Sequence, residues 1–323
     1  MILSGARAPG MTGPAEVSFC ATNLNTLDRL PASLDSIERI GVALARPFEI
    51  VVADGPSDDG ARAYLKERAD RSAHVRLVPH TERNRGYGRR LAFEASVGAT
   101  IVPFDTSIAY GSEYAELLRA YLRLATDRML FSEICALPRS SVTAVGGWRD
   151  LVGGEDIDLY ARAIRRFGVI AYPTGRAGSQ SRPMSAVDRQ MRYVRRSRLG
   201  RVARMYAVQR DQIVGANYRV RDLMGFNRRK PWFERVALRG FFTLAFVGSR
   251  LGALRPIDLG RNNYLVFRDA LLESIVRADY RALDVALGAP LLLLTADERE
   301  YLSRALPRWA EYAAAEPPIL GPK

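Results

Sequence analysis

The sequence predicts an α/β protein: a mostly parallel sheet with helices on both faces, followed by a helical, basic C-terminal region. Three observations carry this. Short apolar runs alternate with helix-periodic segments from Val17 to Asp105, the order that parallel strands joined by crossover helices produce. One of those runs, Phe48 to Ala53, has consecutive β-branched residues without polar alternation, as a strand buried on both faces requires. From about Ser179 the composition turns basic, and apolar residues recur at helical spacing.

Val17 to Ala21 is an apolar run ending in the polar pair Thr22-Asn23, and Leu27, Leu30, Leu34, Ile37 and Ile40 follow at helical spacing, so a strand feeds a helix. The strand Phe48 to Ala53 ends in Asp54-Gly55-Pro56-Ser57-Asp58-Asp59-Gly60, dense in turn formers, before a helix over Ala61 to Ala69. Val75 to Val78 is a third strand, Arg89 to Val97 a third helix, and Thr100 to Phe104 a fourth strand ending at Asp105. In such sheets ligands bind beyond the carboxyl ends of the strands. Thr22, Asp54 and Asp105 all fall there. Asp and Asn also cap helices after any strand, but three in register with a basic segment between them favour a binding edge.

The chain has 323 residues, 48% hydrophobic and 26% charged, enough to bury a substantial core and incompatible with a disordered, collagenous or disulfide-built protein. Cys20 and Cys135 lie far apart and His74 and His80 are the only histidines, which argues against zinc and fits a reducing cytoplasmic setting. Residues 1–15 read as a flexible leader without the apolar core of a signal peptide, with Met11 a second candidate start. The apolar stretches Gly240 to Ser249 and Val285 to Ala296 fall short of the roughly 20 residues of a bilayer span.

The net charge is +13, and all but three of the 48 basic residues are arginine, a side chain that grips phosphate in a fork and stays protonated. Genomic base composition produces the same bias, so arginine excess alone does not decide the partner. Between Arg182 and Arg235 fifteen basic residues face four acidic ones. Met191, Val194, Leu199, Val202, Met205 and Tyr206 recur there near helical spacing. This is a basic amphipathic helix that either packs on the main domain or meets an anionic membrane surface. Asn262 to Tyr312 reads as a helical hairpin around Pro290.

Three groups of residues resemble a known family. Val17 to Asn23 with Glu49 to Gly60 resembles the opening of a family-2 glycosyltransferase of GT-A fold. Asn84-Arg85-Gly86-Tyr87-Gly88-Arg89-Arg90-Leu91-Ala92 and Gly98 to Ser107 are similar to the helix and strand that deliver its metal motif. Gly146-Gly147-Trp148-Arg149, then Gly154-Glu155-Asp156-Ile157-Asp158, resembles its acceptor loop and catalytic acidic pair. The resemblance spans about Val17 to Pro173. It implies a domain over 16–178, with 179–323 a separate helical region, basic at 182–235.

The resemblance also implies an inverting transfer of sugar from a nucleotide-diphosphate donor to a glycan or lipid-linked hydroxyl acceptor. Such a reaction needs a carboxylate to take the hydroxyl proton and positive charge on the leaving phosphate. Asp156 matches the base, with Glu155 beside it. Thr22, Asn23 and Asp54 match nucleoside contacts and imply a uridine or other pyrimidine donor. Trp148 and Gly147 match the acceptor side, although Trp148 also suits plain core packing. Asp105 matches the first aspartate of the metal motif, but Ser107 stands where a second aspartate is usual.

That departure leaves three alternatives. Asp105 and Ser107 hold Mg²⁺ or Mn²⁺ with phosphate oxygens; or Arg89 and Arg90 supply the charge directly; or the protein is a degenerate relative that binds nucleic acid or a protein partner. Gln180 stands where some relatives carry a histidine. A nucleotidyltransferase is disfavoured because Thr22-Asn23-Leu24-Asn25 is no phosphate loop. On this reading no specific nucleic acid is expected, and the enzyme sits in the cytoplasm, peripheral on the inner face of the membrane.

Overall fold

The computed structural model describes residues 15–132, 134–171, 198–228, 230–254 and 295–306. Residues 1–14 of the expected 1–15 leader, the 178/179 boundary and Gln180 lie outside them, and Ala15, its last residue, is buried.

The alternation read from the sequence is present as β1 (Val17–Asn23), α1 (Leu30–Ala43), β2 (Phe48–Asp54), α2 (Ala61–Arg71), β3 (Val75–Pro79), α3 (Arg85–Ala95) and β4 (Thr100–Pro103). Residues 106–145, which the sequence pattern does not resolve into elements, contribute α4 (Glu113–Arg123), β5 (Met129–Phe131), β6 (Leu137–Pro138) and α5 (Arg139–Ala144). Then come α6 (Glu155–Phe167) and β7 (Val169–Ala171). The main sheet has the order β3-β2-β1-β4-β6, with β6 antiparallel to β4 and the other pairings parallel; β5 and β7 form a separate parallel pair.

All seven residues of β1 and of β2 are buried, which is why both read as unbroken apolar runs. Their register pairs Val17 with Phe48 and Asn23 with Asp54, so the two polar tips end side by side. Side chains alternate across a strand. Phe19 meets the Phe48 ring, centroids 6.1 Å apart, on the face where α1 brings Gly41 against Phe48. On the other face Cys20 and Thr22 meet Ala92 and Gly88 of α3. Helices therefore cover both faces. Because β1 lies between β2 and β4, the strand order reverses at the β1/β4 step, where the carboxyl ends leave a crevice.

Helix α3 starts four residues earlier than the sequence pattern indicates. Asn84 caps it by accepting from the Tyr87 N–H at 3.1 Å, and the first turn contains Gly86 and Gly88. A Cβ at Gly86 would run into the Arg149 carbonyl and lie 2.6 Å from the Leu151 nitrogen. The missing side chain lets α3 lie directly on the 149–151 loop, and Gly86 N–H donates to the Leu151 carbonyl at 2.9 Å.

The C-terminal elements are α7 (Arg198–Ala216), α8 (Val220–Phe226), α9 (Trp232–Leu251) and α10 (Ala296–Ala305). The expected amphipathic helix is corrected. Met191 and Val194 lie outside the described residues, and Leu199, Val202 and Met205 are exposed. Helix α7 instead buries Val208, Asp211, Ile213 and Val214, a face that the arginine-rich first half conceals from periodicity. Of the expected hairpin only α10 is described. Thr295 and Glu298 cap it reciprocally, and Leu302 and Leu306 join the main core. Among the described residues no helix is long and apolar enough to cross a membrane.

Gly86→Ala is expected to lower unfolding free energy by about 1–3 kcal/mol through overpacking against backbone. Gly240→Ala, in mid-helix α9 with nothing within 4 Å of the added carbon, is expected to raise it by up to about 1 kcal/mol. Urea titration monitored by circular dichroism measures both.

Candidate active site

One side chain bridges the step between β1 and β4. Arg89, 5% exposed, donates from Nη1 to the Cys20 carbonyl of β1 at 3.2 Å and to the Phe104 carbonyl just past β4 at 2.7 Å. Its Nη2 donates to Asp156 Oδ2 at 3.0 Å. Burial opposes the charge on Arg89 more than any single neighbour favours it, but Asp156, Tyr160 and Glu155 together hold the guanidinium above its ordinary pKa. The other Asp156 oxygen accepts from the Trp148 indole N–H at 2.9 Å. Both oxygens are thus oriented by fixed donors.

Helix α6 opens at Gly154, whose φ of +79° is costly for residues with a side chain, and three acids occupy its first turn, where the helix dipole favours them. Their surroundings differ. Asp158 is fully buried between Arg149 and Arg162. Glu155 is 2% exposed, with Oε1 2.9 Å from Arg85 Nη2 in an ion pair that lacks hydrogen-bond alignment. Burial pushes its carboxyl pKa up against the pull of Arg85. Asp156 alone of the three opens to solvent, at 22% exposure.

Asp105, at the β4 tip, accepts on Oδ1 from the Ser107 N–H at 2.9 Å and the Ser107 hydroxyl at 2.7 Å. Burial works to raise its pKa, but the Arg85 guanidinium and the Ser107 hydrogen bonds prevail and hold it below the usual carboxylate value. Arg85 therefore lies between Asp105 and Glu155, linking the strand tip to α6. Among the described residues no group of three or more His, Cys, Asp or Glu side chains is placed to hold a metal ion. The donor set at this tip is one anionic carboxylate whose Ser107 neighbour is already committed as a donor to it. This fits a hard divalent cation only when substrate phosphate oxygens complete the shell.

Several site residues behave differently from the expectation. Asp54 is wholly buried, and its carboxylate is taken by Asn23 Nδ2 at 2.8 Å, Ser57 Oγ at 2.7 Å and Arg62 Nε at 2.9 Å. Asn23 in turn accepts from Thr26. Asp54 and Asn23 thus lace two loops together and offer no open edge to a base. Thr22 packs against Gly88. Arg90 points about 100° around the helix from Arg89 and pairs with Asp150 at 2.9 and 3.0 Å and with Glu94. Trp148 is 1% exposed and packs on Phe93, so its ring is core and its N–H is what serves the site. Gly147, with φ +66°, makes the bend that carries Trp148. The free thiols Cys20 and Cys135 are pushed up to about 12 by burial.

Sequence reasoning gave no role to Arg85, Arg62 or His80. Only Arg85 had a signal, its place beside the Asn84 cap. His80 follows β3 and lies beside Gly88; both ring nitrogens are buried without a hydrogen-bond partner. Burial lowers its pKa below 6.5. The unfolded chain then binds more protons below that value, so this contribution to stability is present at neutral pH and is lost as pH falls through about 6.5, levelling off below the folded-state pKa. His80→Gln is expected to flatten that part of the stability profile, measured by urea titration from pH 7.5 to 5.

Residues 18–118 match the family model described as "Glycosyl transferase family 2". No curated protein matches the chain. Among solved structures it is similar to the mannosyltransferase PcManGT from Pyrobaculum calidifontis, in complex with GDP-Man and Mn²⁺, at 14% identity and TM-score 0.46, covering 74% of this chain and 88% of that one. TarS 1-349 of S. aureus is similar at 13% identity and TM-score 0.48, covering 84% and 90%. Glucosyl-3-phosphoglycerate synthase from Mycobacterium tuberculosis, in complex with Mn²⁺, UDP-Glc and phosphoglyceric acid, is similar at 14% identity and TM-score 0.40, covering 59% and 80%. The family-model match covers the segment that builds β1 to β4, with Arg89 between their tips, so this segment is similar to family-2 glycosyltransferases.

Proposed function

We propose that the protein is an inverting glycosyltransferase that moves a sugar from a nucleoside-diphosphate donor, UDP-linked on the sequence reading, to a hydroxyl of a glycan or lipid-linked acceptor. The observation that carries this is the Asp156 carboxylate: half-open, held at both oxygens, and tied through Arg89 to the crevice where a parallel sheet binds ligands. The match of residues 18–118 to the family-2 glycosyltransferase model supports sugar transfer as the reaction class.

The chemistry follows from the placement. The acceptor oxygen attacks the anomeric carbon, the bond from that carbon to the diphosphate oxygen breaks, and Asp156 takes the hydroxyl proton. One displacement inverts the configuration. Arg85, beside Asp105 and Glu155, puts positive charge where the diphosphate would lie. Asp105 would hold a divalent cation there together with phosphate oxygens; when bound, the cation neutralises charge on the leaving group. Glu155 and Asp158, being buried in ion pairs, act as supports of α6 and not as the base. Asp54, through Asn23 and Arg62, shapes the loops that frame the nucleoside. The basic C-terminal region would keep the enzyme peripheral on an anionic cytoplasmic membrane face.

Two outcomes are expected. Asp156→Asn lowers kcat for transfer or hydrolysis of a UDP-sugar by about 10²–10⁴-fold while leaving the UDP-induced rise in melting temperature intact; full turnover in this variant overturns the base assignment. Mn²⁺ alone leaves the melting temperature unchanged, because the protein offers one carboxylate. Mn²⁺ with UDP raises it beyond UDP alone, by mass action on the folded state, and Asp105→Ala abolishes that increment in a thermal-shift titration.

A further inference from the structure

Helix α9 packs on α7 and α8 through Phe242, Ala245 and Ser249, which are buried. Its other side is unusual. Successive helical residues turn by about 100°, which gathers Trp232, Phe233, Val236, Leu244, Val247 and Leu251 into one stripe about 120° wide, with Gly240 and Thr243 between them. All six are exposed, at 49 to 83%. A helix of 20 residues carries this stripe over about 30 Å. Single exposed apolar residues are ordinary, but a continuous strip marks a contact surface.

The charges around the stripe select its occupant. Arg235, Arg239 and Arg250 line one border and are exposed, and their long stems can lie along apolar surface while the guanidinium reaches phosphate. The only acid of the helix, Glu234, points away and pairs with Lys230 at 2.9 Å. Helix α7 adds an exposed apolar row of Leu199, Val202 and Met205. Tyr206, next in sequence, donates to the Leu244 carbonyl of α9 at 3.5 Å. An apolar face bordered by arginine, with tryptophan at its start, is the composition of a helix lying in a lipid interface. A second copy of this chain would instead bring two arginine borders and two charges of +13 together.

We propose that α9 lies in the plane of an anionic bilayer surface, its Trp232 to Leu251 stripe in the acyl boundary and Arg235, Arg239 and Arg250 at headgroup phosphates. This surface is distinct from the sugar-transfer site, and its test contains no nucleotide, so either can fail without the other.

The test is co-sedimentation of the full chain with vesicles of phosphatidylcholine alone or mixed equally with phosphatidylglycerol. Binding is expected to be at least tenfold tighter to the anionic vesicles. The doubly substituted Val236→Asp/Leu244→Asp protein, whose exposed positions leave the melting temperature unchanged, is expected to lose more than tenfold. Arg235→Ala and Arg239→Ala should each weaken anionic binding by about fivefold. Trp232 emission, read as the difference between the parent and Trp232→Phe, should shift to the blue on vesicles. Vesicle binding by the double variant equal to the parent, an unshifted Trp232 emission, or a soluble dimer that the double variant dissolves would each overturn the proposal.

Discussion

The site is organised by a buried guanidinium. Arg89 donates to two backbone carbonyls at the β1/β4 step, of which the Cys20 carbonyl also accepts from the Phe104 N–H, and gives its other terminal nitrogen to a carboxylate from α6. Removing such a charge from water is costly unless hydrogen bonds and an opposite charge replace its solvent; here one carboxylate and two carbonyls do so for the two terminal nitrogens, while Nε is buried without a hydrogen-bond partner. The consequence is geometric. Asp156 lies late in the chain, on a helix that the five-stranded sheet does not itself position, yet its carboxylate is fixed relative to the tips of β1 and β4 by a single side chain of α3. A rigid scaffold with an open functional group at its edge results.

The division of labour among the three acids of α6 follows from how each is neutralised. Asp158 has two guanidinium partners and no exposure, and Glu155 has Arg85 and almost none. Both lie at the helix N-terminus, where the dipole favours negative charge, although burial still raises the Glu155 pKa against the pull of Arg85. Asp156 receives one donor on each oxygen and keeps part of its surface in solvent, so a proton can reach it. The arginine that pairs with Glu155 also acts on Asp105, so Arg85 brings positive charge to the strand tip. Burial of the supports and charge for a phosphate are therefore one arrangement.

How much of this was legible follows from what burial writes into a sequence. Strands buried on both faces leave apolar runs, so β1, β2 and β4 and the polar residues at their tips could be read directly. The placement of Asp156 came from resemblance, since its acidic neighbours have the same local spacing. The choice between Arg89 and Arg90 was not legible: it depends on helix phase, set by the Asn84 cap and by Gly86 and Gly88 meeting backbone far away in sequence. Trp148 was open between acceptor contact and core packing, because a glycine bend can present a ring inward or outward, and its ring packs on Phe93 while its N–H reaches Asp156. The partners of Asp54 were not legible either, as Asn23 and Arg62 come from a neighbouring strand and the next helix.

The C-terminal helices take part in the site and are not an appendage to it. Asp211, buried on α7, accepts from the Val152 N–H at 2.6 Å, and Arg204 donates to the Arg83 and Val152 carbonyls. Gly215 packs 3.0 to 3.3 Å, measured from an added Cβ, from the Gly154 carbonyl, Leu151 and Asp158. The loop that leads into Asp156 is therefore gripped by α3 on one side, through Gly86 and Asn84, and by α7 on the other. Since α9 in turn packs on α7, any force that orients α9 is transmitted through one helix to the entrance of α6. An apolar stripe on α9 then has a functional meaning beyond attachment: it would fix the angle at which the Asp156 carboxylate faces an acceptor held at the same surface.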